Sequence, residues 1–474
     1  MKKSVAAVVG IAIVAGAWLG GTWYTGKKLE TETAARIAVA NEQLAKIDPQ
    51  IDLVLSQVSY DRGFFNSQAR YALTGGEKGD AEPEFHIEFD ARYEHGPFPA
   101  AALAQGRFLP TLAVVHSELA KTDDSAAWFE AAQGQTPLAG DTVLSYSGDA
   151  RFNLRFAALE HEEDGKAIAF SGADLKGDFE AKTKRSVGTF VAPSLSFSTG
   201  TEDEEPIALT LTDSEMDFDM HDTVFGIQSG DAELRIGRLA VRSEQDDDAN
   251  VVIDKLVYGA RSTEDEKFIR GEIYLNTGAL SINDLPFGSQ SLTLKLDKLD
   301  GHALKVVSDV YDRMMTPAEG EPSDPTAELL DAAKTLLDAN PTMALDNFNW
   351  TTDKGSSTVT MHAQWATPAE LRTPSPLLLA EALKSVRMDV NVNRPMATDL
   401  TAKLLQAQQG LSAEQAQAMA QVQFEDAVAS LGELGLLKED GDTLKSLVEY
   451  DGSQILVNGA ALPPEVVLGL MMAM

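Results

Sequence analysis

The chain of 474 residues contains no cysteine. A disulfide framework and thiolate chemistry are therefore excluded. Histidine is scarce, at seven residues, and none stands in a metal-ligand spacing. His161-Glu162-Glu163 lacks the second histidine four positions on that a zinc-protease helix needs. No Gly-x-x-x-x-Gly-Lys-Ser/Thr loop is present to cradle phosphates, and no Gly-x-Ser-x-Gly elbow to present a serine nucleophile. No metal and no cofactor is expected. Without a visible set of nucleophile, base and orienter, an enzyme is not expected either. Cations are in deficit, with 39 Lys and Arg against 73 Asp and Glu and a net charge of −34. Such a surface repels phosphate backbones, so nucleic acid is excluded as a partner. It also repels anionic headgroups, so contact with a membrane face must be apolar.

Long hydrophobic runs are absent too, except for one. Val5 to Tyr24 carries no charge and is bracketed by Lys2-Lys3 and Lys27-Lys28. At about 1.5 Å per helical residue, twenty residues span about 30 Å, the thickness of a bilayer's hydrocarbon core. Trp18, Trp23 and Tyr24 stand where an interfacial belt would lie. The reading is a single-pass anchor in a bacterial inner membrane, with the large domain in the periplasm. Ala15-Gly16-Ala17 also fits a signal-peptide cleavage site, and either reading exports the rest of the chain.

Leu29 to Ile47 follows a helical pattern through Ile37, Asn41, Leu44 and Ile47, and Asp48-Pro49 stops it. It is either a stalk or a helix packed on the domain. From about Ile51 to Leu304 the period becomes two. In Thr142 to Ala157, Leu144, Tyr146, Ala150, Phe152, Leu154 and Phe156 share one side, while Thr142, Ser145, Ser147, Asp149, Arg151, Asn153 and Arg155 mostly take the other. Alternation of this kind gives a pleat with one apolar and one wet row. Later strands continue the rhythm, among them Leu234 with Ile236 and Leu292 with Leu294 and Leu296. Acidic loops such as Glu202-Asp203-Glu204-Glu205 and Asp246-Asp247-Asp248 separate them. These lack the spaced ligands of a calcium cage and read as solvated turns.

Pro317 to Pro325 is a Pro- and acid-rich break. After it, Asp324-Pro325 starts a helix with a Leu329, Ala333, Leu336 stripe, and Asn347 to Trp365 reads as a hairpin turning near Asp353-Lys354-Gly355. Val386 to Val392 reads as a further strand. Ser412 and Gln415 form a capping box for a helix carrying Phe424, Val428, Leu431 and Leu434. Asp451-Gly452 turns a last hairpin. The fold class is α+β, predominantly antiparallel β: one N-terminal transmembrane helix, a long curved β-meander, and a smaller mixed C-terminal region. The domains are 1–28 as anchor or signal peptide, 29–50 as stalk helix, 51–316 as antiparallel β domain and 317–474 as mixed α/β region.

Three stretches carry a resemblance. Tyr60-Asp61-Arg62-Gly63-Phe64-Phe65 follows the anchor, and His95-Gly96-Pro97-Phe98-Pro99 follows a strand. Leu436-Leu437-Lys438-Glu439-Asp440-Gly441-Asp442, with Asp451-Gly452 and Leu456-Val457-Asn458-Gly459, closes the chain. In this order they resemble the YdgA-like family of bacterial inner-membrane-associated proteins of unknown function. The resemblance implies an envelope location and a β-rich ectodomain, and supplies no catalytic residues. Read alone, Gly63 permits a sharp bend, with Arg62 as either a clamp for a partner or a structural ion-pair member. His95-Gly96-Pro97 reads as a strand end, or as an imidazole placed in a site.

Two functions follow. In the first, the oily sheet face forms a groove for a lipid or extended ligand, lined by Leu144, Tyr146, Phe152, Leu154 and Phe156. This has the groove logic of AsmA-like lipid-transfer proteins as an analogy of architecture. In the second, the sheet closes, and a homodimer built on an exposed edge strand recruits an envelope-protein partner.

Overall fold

The structure, a computed structural model, describes residues 37, 38, 41, 44, 51–63, 66–77, 83–95, 99–104, 106, 108, 111–201, 204–243, 250–315, 326–368 and 381–462. The apolar run with Trp18, Trp23 and Tyr24 lies outside these residues. So do Phe64, Gly96, Pro97, the cap Asp324-Pro325, most of the expected stalk, and the loops at 202–203 and 246–248. Among the described residues no helix is long and apolar enough to cross a membrane. Strands dominate, and the strand pairs among the described residues are antiparallel. The chain divides into two compact units.

The first unit takes in the described residues of Met1–Ser198, Thr212–Asp222 and Met314–Pro317. Its elements are β1 (Val54–Arg62), β2 (Asn66–Gly75), β3 (Phe85–His95), α1 (Ala100–Ala104), β4 (Ala113–Leu119), α2 (Ala126–Ala131), β5 (Leu138–Leu144) and β6 (Ala150–Phe156). Then come β7 (Leu159–Glu163), β8 (Lys166–Phe170), β9 (Ala173–Glu180) and the larger parts of β10 (Arg185–Thr201) and β11 (Glu204–Asp222), whose residues 199–201 and 204–211 fall in the second unit. Strands β1 to β6 form a meander. Strand β9 returns beside β6, β8 beside β7, and both lie against β10.

One face of this sheet is dry. Tyr71, Tyr93, Val115 and Leu144 form one buried cluster, and Phe152, Leu154 and Leu175 a second. The Tyr71 and Tyr93 hydroxyls meet at 3.0 Å, and burial pushes both phenols above their ordinary pKa. The other face carries cross-strand ion pairs, including Arg70–Asp90 at 2.7 Å and Arg151–Asp178 at 2.6 Å. Ile37, Ala38, Asn41 and Leu44 are helical, and Asn41 lies at the β1 edge. Leu44 is fully buried in the first cluster. The Asn41 amide takes the place of a neighbouring strand: Leu55 N donates to its Oδ1 at 2.7 Å, and its Nδ2 donates to the Leu55 carbonyl at 3.1 Å. Of the two readings for this segment, the described residues show packing on the strands.

The run from Thr142 to Ala157 is two strands rather than one. Ser145 N bonds the Asp149 carbonyl at 2.9 Å and closes a turn. Tyr146 sits in that turn at 45% exposure, off the apolar row. The turn preserves parity, so Leu144 faces Ala150 and Thr142 faces Phe152. Thr142 is accordingly buried, against the expectation that placed it on the wet side.

The second unit takes in the described residues of Thr199–Leu211, Thr223–Arg313 and Ala318–Met474. It contains β12 (Gln228–Ser243), β13 (Asn250–Glu264), β14 (Phe268–Ile282), β15 (Leu285–Asp300), α3 (Gly301–Met315), α4 (Thr326–Asp338), β16 (Thr342–Thr352), β17 (Gly355–Trp365) and β18 (Leu383–Asn393). These precede α5 (Arg394–Gln409), α6 (Ala413–Glu433), β19 (Lys438–Asp440), β20 (Thr443–Tyr450), β21 (Ile455–Val457) and β22 (Ala460–Ala461). Strands β12 to β18 pair in sequence, and β20, β21 and β22 extend the ladder. Because β15 pairs directly with β16, the ladder continues across the proline-rich break, and the grouping differs from a division at residue 316.

The Ser412–Gln415 capping box is present, and the β16–β17 hairpin turns at Asp353-Lys354. Of the stripe expected on α6 only Val428 is buried, with Ala416 and Ala420, because small residues let this helix approach Ala402 of α5 closely. Likewise Ala332 and Leu337, rather than Leu329, Ala333 and Leu336, are the buried positions of α4.

Phe152→Asp should unfold the first unit. It would bury a carboxylate in a cluster of Leu154, Leu175, Phe156 and Phe190, at a cost of several kcal/mol. Leu154→Ala should cost about 2–5 kcal/mol through the cavity it leaves. Urea denaturation followed by circular dichroism measures both. A wild-type midpoint for Phe152→Asp would mean that this row faces solvent.

Candidate functional site

The residues first expected to line a groove do not form one. Leu144, Phe152 and Leu154 are buried within closed clusters of the first unit. Phe156 packs edge-on against Phe190 at 6.2 Å between ring centroids. Their row is core, and Tyr146 stands outside it.

The second unit presents a different surface. Register places like beside like across its strands. One row runs Leu234, Tyr258, Leu275, Leu292, Phe348, Val359, Val390. The next runs Ala232, Ala260, Ile273, Leu294, Leu345, Met361, Met388, Val448, Val457. No polar residue interrupts either row. Among the described residues none of these side chains joins a buried cluster; the clusters lie in the first unit and between α5 and α6. Tyr258 is 46% exposed, Leu275 39% and Ile273 38%. Helix α4 packs on β15, and α5 packs on β15, β17 and β18. At the α5 end Ser357 Oγ donates to Met396 Sδ at 3.4 Å, and Lys403 Nζ donates to the Pro286 carbonyl at 2.7 Å.

The opposite face of the same strands is polar. Tyr274 lies between Glu233 and Arg261: its hydroxyl donates to Glu233 at 2.5 Å, and the Arg261 guanidinium stands 4.9 Å from its ring centroid. The Tyr274 bond and the nearby Arg235 hold the Glu233 carboxyl below the usual carboxylate range. Lys295 pairs with Asp346 at 2.5 Å, and Arg387 with Glu449. Among the described residues no group of three His, Cys, Asp or Glu is placed to hold a metal ion.

The resemblance motifs fall at turns. Gly63 N bonds the Asn66 carbonyl at 2.8 Å, and a Cβ on Gly63 would stand 2.3 Å from that oxygen. The glycine is thus required by the tight β1–β2 bend. Arg62 is the exposed last residue of β1, and Tyr60 packs its ring 6.4 Å from that of Tyr93. His95 ends β3, opposite Ala113. Gly452 follows Asp451, whose Oδ1 accepts from Ser453 N at 2.9 Å, Ser453 Oγ at 2.7 Å and Gln454 N at 3.1 Å. The β20–β21 connection therefore has four residues, two more than a minimal Asp-Gly turn. Asn458 and Gly459 both have positive φ, at 55° and 85°, and turn β21 into β22. The Asn458 side chain accepts from Leu447 N at 3.0 Å and donates to the Gly435 carbonyl at 3.1 Å. It ties β20 to the segment after α6. These residues position elements and do not converge on one site.

Comparison with known proteins agrees with the motifs. A family model described as "Bacterial protein of unknown function (DUF945)" matches residues 1–465. Protein YdgA of Escherichia coli (strain K12) is 26% identical over 488 residues, covering 99% of this chain and 97% of its own. Uncharacterized protein YihF of the same organism is 22% identical over 497 residues, covering 98% and 97%. An uncharacterized protein of Haemophilus influenzae (strain ATCC 51907 / DSM 11121 / KW20 / Rd) is 24% identical over 324 residues, covering 65% and 86%. No solved structure matches the chain.

Hydrogen bonds from Ser453 and Gln454 hold the Asp451 carboxyl at a pKa of about 2, below its ordinary value. A depressed folded value stabilises the turn fully above the ordinary pKa of about 4. That contribution fades as pH falls from there through about 2. Carboxyl NMR titration should return that value, and Asp451→Ala should speed amide exchange at Ser453 and Gln454. An ordinary titration would show that the turn is not held this way.

Proposed function

The chain belongs to the DUF945 family of bacterial proteins, and for this member we propose a non-enzymatic role: holding an acyl-chain ligand on the apolar face of β12–β18. The observation that carries the proposal is the pair of unbroken apolar rows, exposed on β13 and β14 at Tyr258, Leu275 and Ile273 and overlaid by α5 at the β17–β18 end. An extended polypeptide would bring backbone amides needing bonds, and this face offers none. A hydrocarbon chain asks for none. Seven neighbouring positions at about 4.8 Å per strand give a path of about 29 Å, close to the roughly 30 Å core of a bilayer. Covering about 200 Å² of it at about 25 cal/mol per Å² contributes about 5 kcal/mol.

In this reading Val5–Tyr24 anchors the protein in the inner membrane, and the described body works in the periplasm. The acidic chain, at net −34, disfavours an anionic surface as the docking partner, so recognition rests on the hydrocarbon. The rival, a dimer built on an edge strand, is opposed at β1 by the Asn41 amide, which occupies that edge at Leu55.

The full chain, purified in detergent, is irradiated with a photoactivatable fatty acid and its adducts are mapped. Adducts are expected on β13–β17, including Tyr258 and Leu275. Tyr258→Lys with Leu275→Lys should lower them about tenfold while leaving the circular dichroism unchanged. Adducts confined to the apolar N-terminal run, or a face protected by dimerisation and free of lipid, would defeat the proposal.

A further inference from the structure

The polar face of the second unit holds a concavity of about 590 Å³, within the range of small-molecule sites. Register builds it from two rows on neighbouring strands. Thr342, Gln364 and Ser385 form one row; Ala344, His362, Arg387 and Glu449 form the other. Leu456 of β21 and the Asp451 turn stand at the margin. The hollow arises at Ala344. Its row carries the long side chain of Lys295 on β15, then a methyl group, then an imidazole.

Side-chain chemistry specifies the ligand class. Arg387 is paired with Glu449 across the strands. The Asp451 carboxylate is engaged by its own turn. Thr342, His362, Gln364 and Ser385 form no side-chain hydrogen bond among the described residues, and all four line the hollow. Each of the four both donates and accepts: two hydroxyls, a carboxamide and an imidazole. A site for an anion presents donors, and a site for a cation presents acceptors. A set that does both matches hydroxyl groups, which also do both.

A peptide strand is a poor occupant. Strands β16, β17 and β18 have both edges consumed by neighbours, so no main-chain bonds are left for strand addition. An anion would meet the paired Arg387 beside two carboxylates on a chain of net −34. We propose that this trough binds a neutral, hydroxyl-rich ligand of mono- or disaccharide size. Ligand hydroxyls bridge Gln364 and Ser385 in one row and His362 in the other, with the Ala344 methyl as the floor. The proposal does not depend on the acyl-chain reading, which concerns the other face.

The test uses the full chain with isotope-labelled histidine, following the seven imidazoles by NMR. Maltose is the neutral probe; inorganic phosphate and choline are the charged ones. Maltose should shift the His362 signal saturably in the millimolar range and leave the other imidazoles unmoved. Gln364→Ala with Ser385→Ala should weaken that response about tenfold. The exposed or half-buried positions of both residues keep the fold, as circular dichroism would check. No saturable His362 shift with maltose up to about 100 mM, or a shift with phosphate or choline alone, would overturn the proposal.

Discussion

An antiparallel strand whose side chains alternate in character must find cover for one face, and everything else in this protein follows from how that need is met. Alternation alone fixes which residues share a side. Register then decides whether apolar residues on neighbouring strands meet. In the first unit they meet and are covered, with Leu44 from a helical segment closing over Tyr71 and Tyr93. In the second unit they meet equally well, from Leu234 to Val390 and from Ala232 to Val457, yet contribute to no buried cluster.

Irregularities keep those rows aligned. The pairing of β16 with β17 slips between Leu345 and Phe348, opposite Met361 and Val359. Two β16 residues, Asp346 and Asn347, are accommodated where one would otherwise fit. The bulge leaves both Leu345 and Phe348 on the apolar face. It also brings Asp346 to Lys295 on the polar face. A simple alternating strand would send one of the two hydrophobes to the wrong side. The extra residue therefore corrects register and completes an ion pair in one step.

Much of this was legible in the sequence. The period of two marked the strands, Ser412 and Gln415 marked the start of α6, and Lys354-Gly355 marked a hairpin. The family followed from motifs that sit at turns, where Gly63 and Gly459 meet backbone demands few residues satisfy. What the sequence withheld was the location of cover. Phe152 and Leu275 look alike as letters in alternating strands, and only tertiary packing separates the closed core from the open face. Tyr146 kept the right parity but sat in a turn that closes through Ser145 and Asp149. Helix α5 went unmarked, although Asn393 caps it by accepting from Met396 N at 2.9 Å and Pro395 follows Arg394 in its first turn.

Strands β16 to β18 show how far alternation can be taken. On β17, Met361 and Ala363 point to one side and His362 and Gln364 to the other. The same backbone thus supports a hydrocarbon surface and a hydroxyl-seeking hollow, separated by the thickness of a sheet. Neither surface draws on main-chain hydrogen bonds, since the ladders consume them. In the two proposed roles, recognition on either side rests on side chains alone. It can be retuned on one face without disturbing the other, because a substitution at an even-numbered position of this strand leaves the odd-numbered row intact.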